Sequence, residues 1–289
     1  MSTLRVENLT HVYNKNTPFY RDAVKNVSFT AKSGEIIGII GHTGSGKSTL
    51  VQHLNGLLKP TEGKIYYNET DIWENPKKIK DIRSKIGLVF QYPEYQLFEE
   101  TVYKDIAYGP KNMGVSSEDI EDVVLNALQS VKLSNVYLES SPFDLSGGEK
   151  RRVAIAGVLA MNPEIIVFDE PTAGLDPTGR NNIIDIIRDY RDKNNATVFI
   201  VSHSMEDMAK LADKILVLNN GELVMFDTPK NVFSQRERLE DIGLSVPTVT
   251  KVIYELNKNG YNLPTDIITV DEAKKAILAL KKGGSANDR

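Results

Sequence analysis

The segment Gly41-His-Thr-Gly-Ser-Gly-Lys-Ser48 has the spacing G-x-x-x-x-G-K-[ST]. Glycines at this spacing let backbone N–H groups curl round the α- and β-phosphates of a nucleotide, which makes Gly41, Thr43, Gly44, Ser45 and Gly46 the candidate lining. Lys47 is spaced to reach the β- and γ-phosphates and the Ser48 hydroxyl to ligate Mg²⁺, with Thr49 following on the same helix start. A second element is the apolar run Ile165-Ile-Val-Phe168, which ends in Asp169 and Glu170. Asp169 suits a water-mediated hold on Mg²⁺, and Glu170 suits a general base that polarises an attacking water. In a third element, Leu145-Ser-Gly-Gly-Glu149, Ser146, Gly147 and Gly148 open a helix with a hydroxyl and bare N–H groups at its positive end. A nucleotide already cradled at 41–48 does not need this second phosphate-binding terminus, so it is expected to serve a nucleotide held by another subunit.

The elements that must position these residues follow from periodicity. Ile36–Ile40, Ile165–Phe168 and Val198–Val201 are continuously apolar and predict parallel strands buried on both faces. Leu4–Leu9, Val24–Phe29 and Lys64–Tyr67 alternate and predict antiparallel strands with one wet face. Ile120, Val123, Val124, Ala127, Leu128 and Val131 share one helix face, and Ser116–Asp119 before them reads as a capping box. The alternation predicts an α/β fold around a mainly parallel sheet. Near residue 230 the texture changes to two short amphipathic stripes, Val249, Val252, Ile253, Leu256 and Ala273, Ala276, Ile277, Leu280, which predict a small helical appendage. Its few apolar residues leave it to pack either on the rest of its own chain or on a partner's counterpart. Gly283–Arg289 reads as a frayed tail.

Composition narrows the chemistry. The chain has 289 residues, 35 Lys+Arg against 39 Asp+Glu, a net charge of −4 and no cysteine. Disulfides, thiolate zinc sites and Cys nucleophiles are excluded. The charge balance provides no global field for nucleic acid, and no nucleic-acid partner is expected. No apolar run reaches the about 18 residues of a membrane span, and Met1-Ser-Thr-Leu-Arg is not followed by a secretory apolar region. The expectation is a chain that is cytosolic or bound peripherally to something cytosolic.

The order of the motifs carries a resemblance. The loop at 41–48, Gln91 in Phe90-Gln-Tyr-Pro, Leu145–Glu149, Asp169-Glu170, Ala173-Gly-Leu-Asp176 and His203 after Val201-Ser are arranged as in ABC-transporter ATPase subunits, over about residues 3–230. The resemblance implies an ABC-type P-loop ATPase: a mainly parallel core sheet, an antiparallel β subdomain and a helical signature subdomain at about 92–160. Residues 1–229 would form the ATPase unit and 230–289 the C-terminal helical unit and tail. It also implies ATP and Mg²⁺ bound in a head-to-tail dimer, between one chain's phosphate loop and the other's signature segment. Tyr13 resembles the aromatic that stacks on adenine. Gln91 resembles the residue that senses Mg²⁺ and water and couples them to the membrane partner, Asp176 the acid that crosses the interface, and His203 the γ-phosphate switch. Residue 149 is Glu where Gln is commoner, and Lys150 and Arg151 are expected to offset its charge. His11, His42 and His53 are expected to be solvated or structural.

Finer likeness points to the energy-coupling factor ATPases, which power uptake of vitamins and of cobalt or nickel ions. It rests on Tyr92–Thr101, Gly41–Gly44, Ser141–Ser146, Arg152–Met161, Leu244–Thr250 and Leu263–Val270. Within that group the chain is similar to the second of two paralogous ATPases. The implied partners are a second ATPase subunit (paralogue or self), a transmembrane coupling protein and a substrate-binding membrane subunit. The alternatives are the ATPase of a conventional ABC transporter and a soluble ABC-type assembly ATPase. Glu94, Glu99 and Glu100 make the segment after Gln91 acidic, which predicts a groove that takes an Arg-bearing partner helix.

Overall fold

A computed structural model describes residues 3–284. The chain runs through β1 (Leu4–Tyr13), β2 (Arg21–Ala31), β3 (Ile36–Ile40), α1 (Lys47–Leu54), β4 (Glu62–Tyr67), β5 (Thr70–Asp71), α2 (Ile79–Lys85) and β6 (Ile86–Val89). It continues through α3 (Val102–Asn112), α4 (Ile120–Ser130), α5 (Gly147–Leu159), β7 (Ile165–Asp169), α6 (Pro177–Asn194), β8 (Thr197–Val201), α7 (Met205–Leu211), β9 (Lys214–Asn219) and β10 (Glu222–Asp227). Four helices follow: α8 (Pro229–Phe233), α9 (Arg236–Asp241), α10 (Thr248–Lys258) and α11 (Val270–Gly284).

Two sheets form. The six-stranded one has the order β10-β9-β3-β8-β7-β6, and all its pairings are parallel except β10 with β9. The four-stranded one, β2-β1-β4-β5, is antiparallel. The continuous apolar runs are the buried central strands, and their alternate side chains feed two cores. Ile36, Ile166, Phe168, Val198 and Ile200 pack toward the helices. Ile37, Ile39, Ile165, Val167, Phe199 and Val201 pack toward α1 and the antiparallel sheet, whose wet face explains its alternating sequence.

Sequence reading misplaced a few local features. Ser116 Oγ accepts from the Asp119 N–H at 3.2 Å, but its own hydroxyl donates to the Asp119 carboxylate at 2.6 Å, so the reciprocal half of a capping box is missing. The complete box lies at Ser146 and Glu149. Strands β5, β6, β9 and β10 have no counterpart among the sequence expectations. Helix α11 runs on through Gly283 and Gly284; the remainder of the expected tail, 285–289, lies outside the described residues.

The C-terminal helices sit on the chain's own cassette. Val232, Phe233, Leu239, Leu244, Val246 and Ile268 join the main core. Thr248 donates twice to Glu206 on α7, and only Ile253, Leu263, Ile267 and Ala273 form a separate small core. Among the described residues no helix is long and apolar enough to cross a membrane.

Candidate functional site

Four neighbouring parallel strands end at one edge, and each hands over one piece of chemistry. β3 runs into Gly41–Ser48, β8 into Ser202 and His203, β7 into Asp169 and Glu170, and β6 into Phe90 and Gln91. Their ends are level in register: Val89 pairs with Phe168, Asp169 with Val201, and Ile39 with Val201. The crevice beyond the carboxyl ends of such a sheet is where ligands bind in open α/β folds.

The loop's shape is dictated by its glycines. Gly46 stands at φ 104°, and a Cβ there would meet the Ala23 carbonyl at 2.3 Å. Only glycine meets both demands at the turn into α1. Ser45 lies inside the loop, its hydroxyl buried without a partner and its N–H bonded to the His42 carbonyl. Lys47 is buried, and its ammonium donates to the carbonyls of Gly41 at 2.8 Å and His42 at 3.0 Å. Burial pulls the Lys47 pKa below its ordinary value, opposed by the nearby charges of Glu170 and Asp169. Burial raises the Asp169 carboxyl, with repulsion from Glu170 adding and attraction from Lys47 opposing. A cation and two carboxylates thus stand close enough to act on one another's charge.

Glu170 is held from both sides. Its carboxylate accepts from Gln91 Nε2 at 3.0 Å and contacts His203 Nε2 at 2.9 Å. Its N–H donates to the Val201 carbonyl at 3.0 Å, one step beyond the β7–β8 ladder. Its backbone is left-handed at φ 50°, which costs a non-glycine residue about 1–3 kcal/mol and persists only where surroundings over-determine it.

Tyr13 lies beside the loop. With Arg21, Ala23, Gly44, Gly46, Lys47, Ser48 and Thr49 it lines a cavity of about 170 Å³, and its hydroxyl is 3.4 Å from the Thr49 hydroxyl. The cavity is well below the about 300–1,000 Å³ of pockets that enclose a small molecule, so it is too small to enclose a nucleotide. Arg21 donates to the Gly44 carbonyl at 3.3 Å and was missed by sequence reading, because a single Arg at a strand start carries no signal.

Behind the loop, His53 is fully buried. Its Nδ1 faces the Thr49 carbonyl at 2.7 Å, an acceptor only, so Nδ1 carries the proton and Nε2 accepts from His11 Nδ1 at 3.1 Å. Burial pushes the His53 pKa down to about 4 and that of His11 down as well. The unfolded chain therefore binds these protons more readily than the folded one. The stability they contribute is complete above pH 6.5 and is lost as pH falls toward 4. His53 alone accounts for about 3 kcal/mol over that window. The unfolding midpoint is expected to fall over this range, and His53→Asn to flatten the slope; an unchanged slope in thermal melts refutes the account. His42 contacts the Thr43 carbonyl and Asn219, which makes it structural.

Two expected site pieces lie apart from this cluster. Asp176 is exposed and caps α6, accepting from the Gly179 N–H at 2.8 Å. Ser146 caps α5, and Glu149 accepts from the Ser146 N–H at 2.9 Å, the Ser146 hydroxyl at 2.6 Å and the Tyr137 hydroxyl at 2.8 Å. These bonds, led by the Ser146 hydroxyl, pull Glu149 down to about pKa 2. Among the described residues no hydrogen bond or ion pair joins Ser146–Glu149 to the loop at 41–48. The expectation that Lys150 and Arg151 offset Glu149 is corrected: hydrogen bonds do so, with Arg152 as the nearby charge, while Arg151 turns to Glu94. That contact also bears on the acidic segment after Gln91. Burial works to raise Glu94, but the bonds and charge of Arg151 outweigh it, and Glu100 is paired with Lys104.

This fold and site define an ATPase of the ABC transporter class, and residues 24–173 match that family. Within it, the chain belongs to the energy-coupling factor transporter ATP-binding proteins. It is 53% identical over 280 residues, 97% of this chain and 98% of the relative, to "Energy-coupling factor transporter ATP-binding protein EcfA2" of Caldanaerobacter subterraneus subsp. tengcongensis. It is 50% identical to the protein of the same name from Clostridium tetani, over 99% of both chains. Among solved structures it resembles cbiO1 of Clostridium perfringens, described as part of the ABC transporter complex cbiONQ. The TM-score is 0.74 at 35% identity, covering 87% of this chain and 98% of that one. It also resembles the cassette MJ0796, solved as a dimer with ADP and Pi, with TM-score 0.70 at 30% identity over 78% and 98% of the two chains. The chain binds and hydrolyses ATP.

Proposed function

We propose that this chain drives an energy-coupling factor transporter at the cytoplasmic face of the cell membrane. Its complex takes up a micronutrient, a vitamin or a cobalt or nickel ion. The observation that carries the reading is the Glu170 carboxylate, bracketed by Gln91 and His203 at the strand edge that also presents Lys47 and Asp169. Glu170 is the base toward the attacking water. His203, at the neighbouring strand end, meets the charge developing on the γ-phosphate. The backbone of 41–46 cradles the phosphates, Lys47 and Thr49 complete the cradle, and Tyr13 takes the adenine face.

Ser48, Asp169 and Gln91 offer hydroxyl, carboxylate and amide oxygens, a hard donor set that suits Mg²⁺. Among the described residues no three acidic or His side chains form a metal cage, so phosphate and water supply the remaining ligands. Mg²⁺ bound there would draw charge from the transferring phosphoryl oxygens.

The open cavity and the separate, solvent-facing Ser146–Glu149 segment support a head-to-tail dimer in which Ser146, Gly147, Gly148, Glu149 and Asp176 serve the nucleotide of the other ATPase subunit. For the membrane coupling protein, the support is an open groove of about 710 Å³ past Gln91, lined in part by Leu97, Phe98, Tyr108, Met113, Val158 and Met161. Native mass spectrometry of the complex drawn from detergent-solubilised membranes tests the reading. A second ATPase together with a coupling protein and a small substrate-binding membrane subunit is expected. Two copies with a conventional permease, or soluble partners only, would refute the energy-coupling reading.

A further inference from the structure

Arg151 has no part in the chemistry above, yet it is 3% exposed and each of its three guanidinium nitrogens donates a hydrogen bond. Nε and Nη2 donate to the two oxygens of Glu94 at 3.0 and 2.7 Å. Nη1 donates to the carbonyls of Pro171 at 3.2 Å and Ala173 at 2.7 Å. The group also lies 5.7 Å from the centre of the Tyr92 ring. One side chain of α5 therefore ties together two loops: the one that begins at Gln91 and the one that begins at Glu170.

The backbone marks the same two loops. Twelve non-glycine residues among those described have positive φ, and eight are Asn, which tolerates that region. The other four are Glu69, Tyr92, Lys132 and Glu170. Tyr92 follows Gln91 directly, and Glu170 precedes Pro171. Side chains such as these stay left-handed only where something over-determines them. Arg151 grips the chain just beyond each.

We propose that Arg151 is a positioning residue for ATP hydrolysis, holding Gln91 and Glu170 in mutual register, with Glu94 as its counter-charge. This rests on the ATPase reading above and deepens it. Gln91 donates to Glu170 at 3.0 Å, and Arg151 sets where the two loops bearing these residues stand. Arg151 also belongs to the helix that Ser146 caps. A shift of that helix as Ser146–Glu149 engages the other subunit's nucleotide is carried by this side chain to the chain's own base. The two composite sites are thereby coupled through one guanidinium.

The bland alternative is a buried ion pair that only packs α5. Arg151→Lys separates the two, since lysine keeps the charge beside Glu94 but cannot fork to a carboxylate and two carbonyls together. Glu94→Gln is the second variant, keeping shape and an acceptor while dropping the charge. Both are measured in the full assembled transporter for kcat, KM for ATP and unfolding midpoint. Arg151→Lys is expected to lower kcat about 10- to 100-fold, with KM within about 3-fold, as misplacement of a reacting group does. Glu94→Gln is expected to lower it several-fold in the same pattern. In a Glu170→Gln background, Arg151→Lys is expected to add little, because no base remains to position. Variants that lose only unfolding midpoint, with kcat per folded molecule within about 2-fold, overturn the proposal and leave the ATPase reading standing. A wild-type assembly indifferent to Glu170→Gln overturns both.

Discussion

Replacing Glu170 with Gln lowers kcat for ATP hydrolysis by about 10²-fold or more and leaves ATP binding intact. The substitution preserves size, and the backbone that holds the residue does not depend on the side chain: the Glu170 N–H donates to the Val201 carbonyl whatever lies beyond Cβ. What changes is the charge and one acceptor. A carboxylate accepts on both oxygens, from Gln91 and facing His203; an amide keeps one acceptor for Gln91 and turns an NH₂ toward His203, so the second acceptor is lost. The water then loses its proton acceptor. ATP affinity is expected to hold or tighten, because a negative charge beside Asp169 and the phosphates is gone. Phosphate release and binding of a fluorescent ATP analogue check the two halves separately. A kcat within about 3-fold of the parent, in an assembly that depends on this chain's own site, would show that Glu170 is not the base.

What could be read before the structure was known divides along physical lines. The phosphate loop, the strand ending in Asp169-Glu170 and the Ser146–Glu149 helix start are local: each is a short stretch whose glycines, hydroxyl or carboxylates do their work next to one another in sequence. Their strands were legible for the same reason, since a run buried on both faces is apolar at every position. Pairings across the fold left no such trace. Glu94 meets Arg151 57 residues away, so Glu94 reads as a solvated acid and Arg151 as part of a basic run beside Glu149. His53 and His11 stand 42 residues apart, and neither shows a metal spacing or a motif. The short β5 and the edge strand β10 lack the fully apolar run that marks the centre of the sheet, whereas β6 and β9 carry short runs of that kind, Ile86–Val89 and Ile215–Leu218, with no motif beside them to single them out. The C-terminal stripes were visible as amphipathic, but a stripe does not say what covers it. Phe233, Leu239 and Val246, which bind that region to the main core, lie outside the stripes altogether.

The other large effect belongs to Lys47→Met. The ammonium has three donors, and two are committed to the carbonyls of Gly41 and His42, which leaves the third for a phosphate oxygen. The lysine thus staples the loop into shape and supplies charge at the same point. Burial works against that charge, while Glu170 and Asp169 favour it. Methionine fills the slot without charge or donor, so both carbonyls and the phosphate lose a partner. Loss of one preorganised charged donor in a water-excluded site costs about 3–4 kcal/mol, or roughly 10²- to 10³-fold in kcat/KM. Binding is expected to weaken about 10²-fold. At an ATP concentration 100 times the parental Kd, linkage stabilises the parent by about 2.7 kcal/mol and this variant by about 0.4 kcal/mol. The ATP-induced rise in unfolding midpoint should therefore nearly vanish for Lys47→Met and persist for Glu170→Gln. Lys47→Arg is not expected to restore it, because a planar guanidinium is too broad for a slot shaped by two loop carbonyls around one ammonium. An undiminished ATP shift in Lys47→Met would mean that the loop holds phosphate by its backbone alone, and the lysine's role would shrink to stapling the turn.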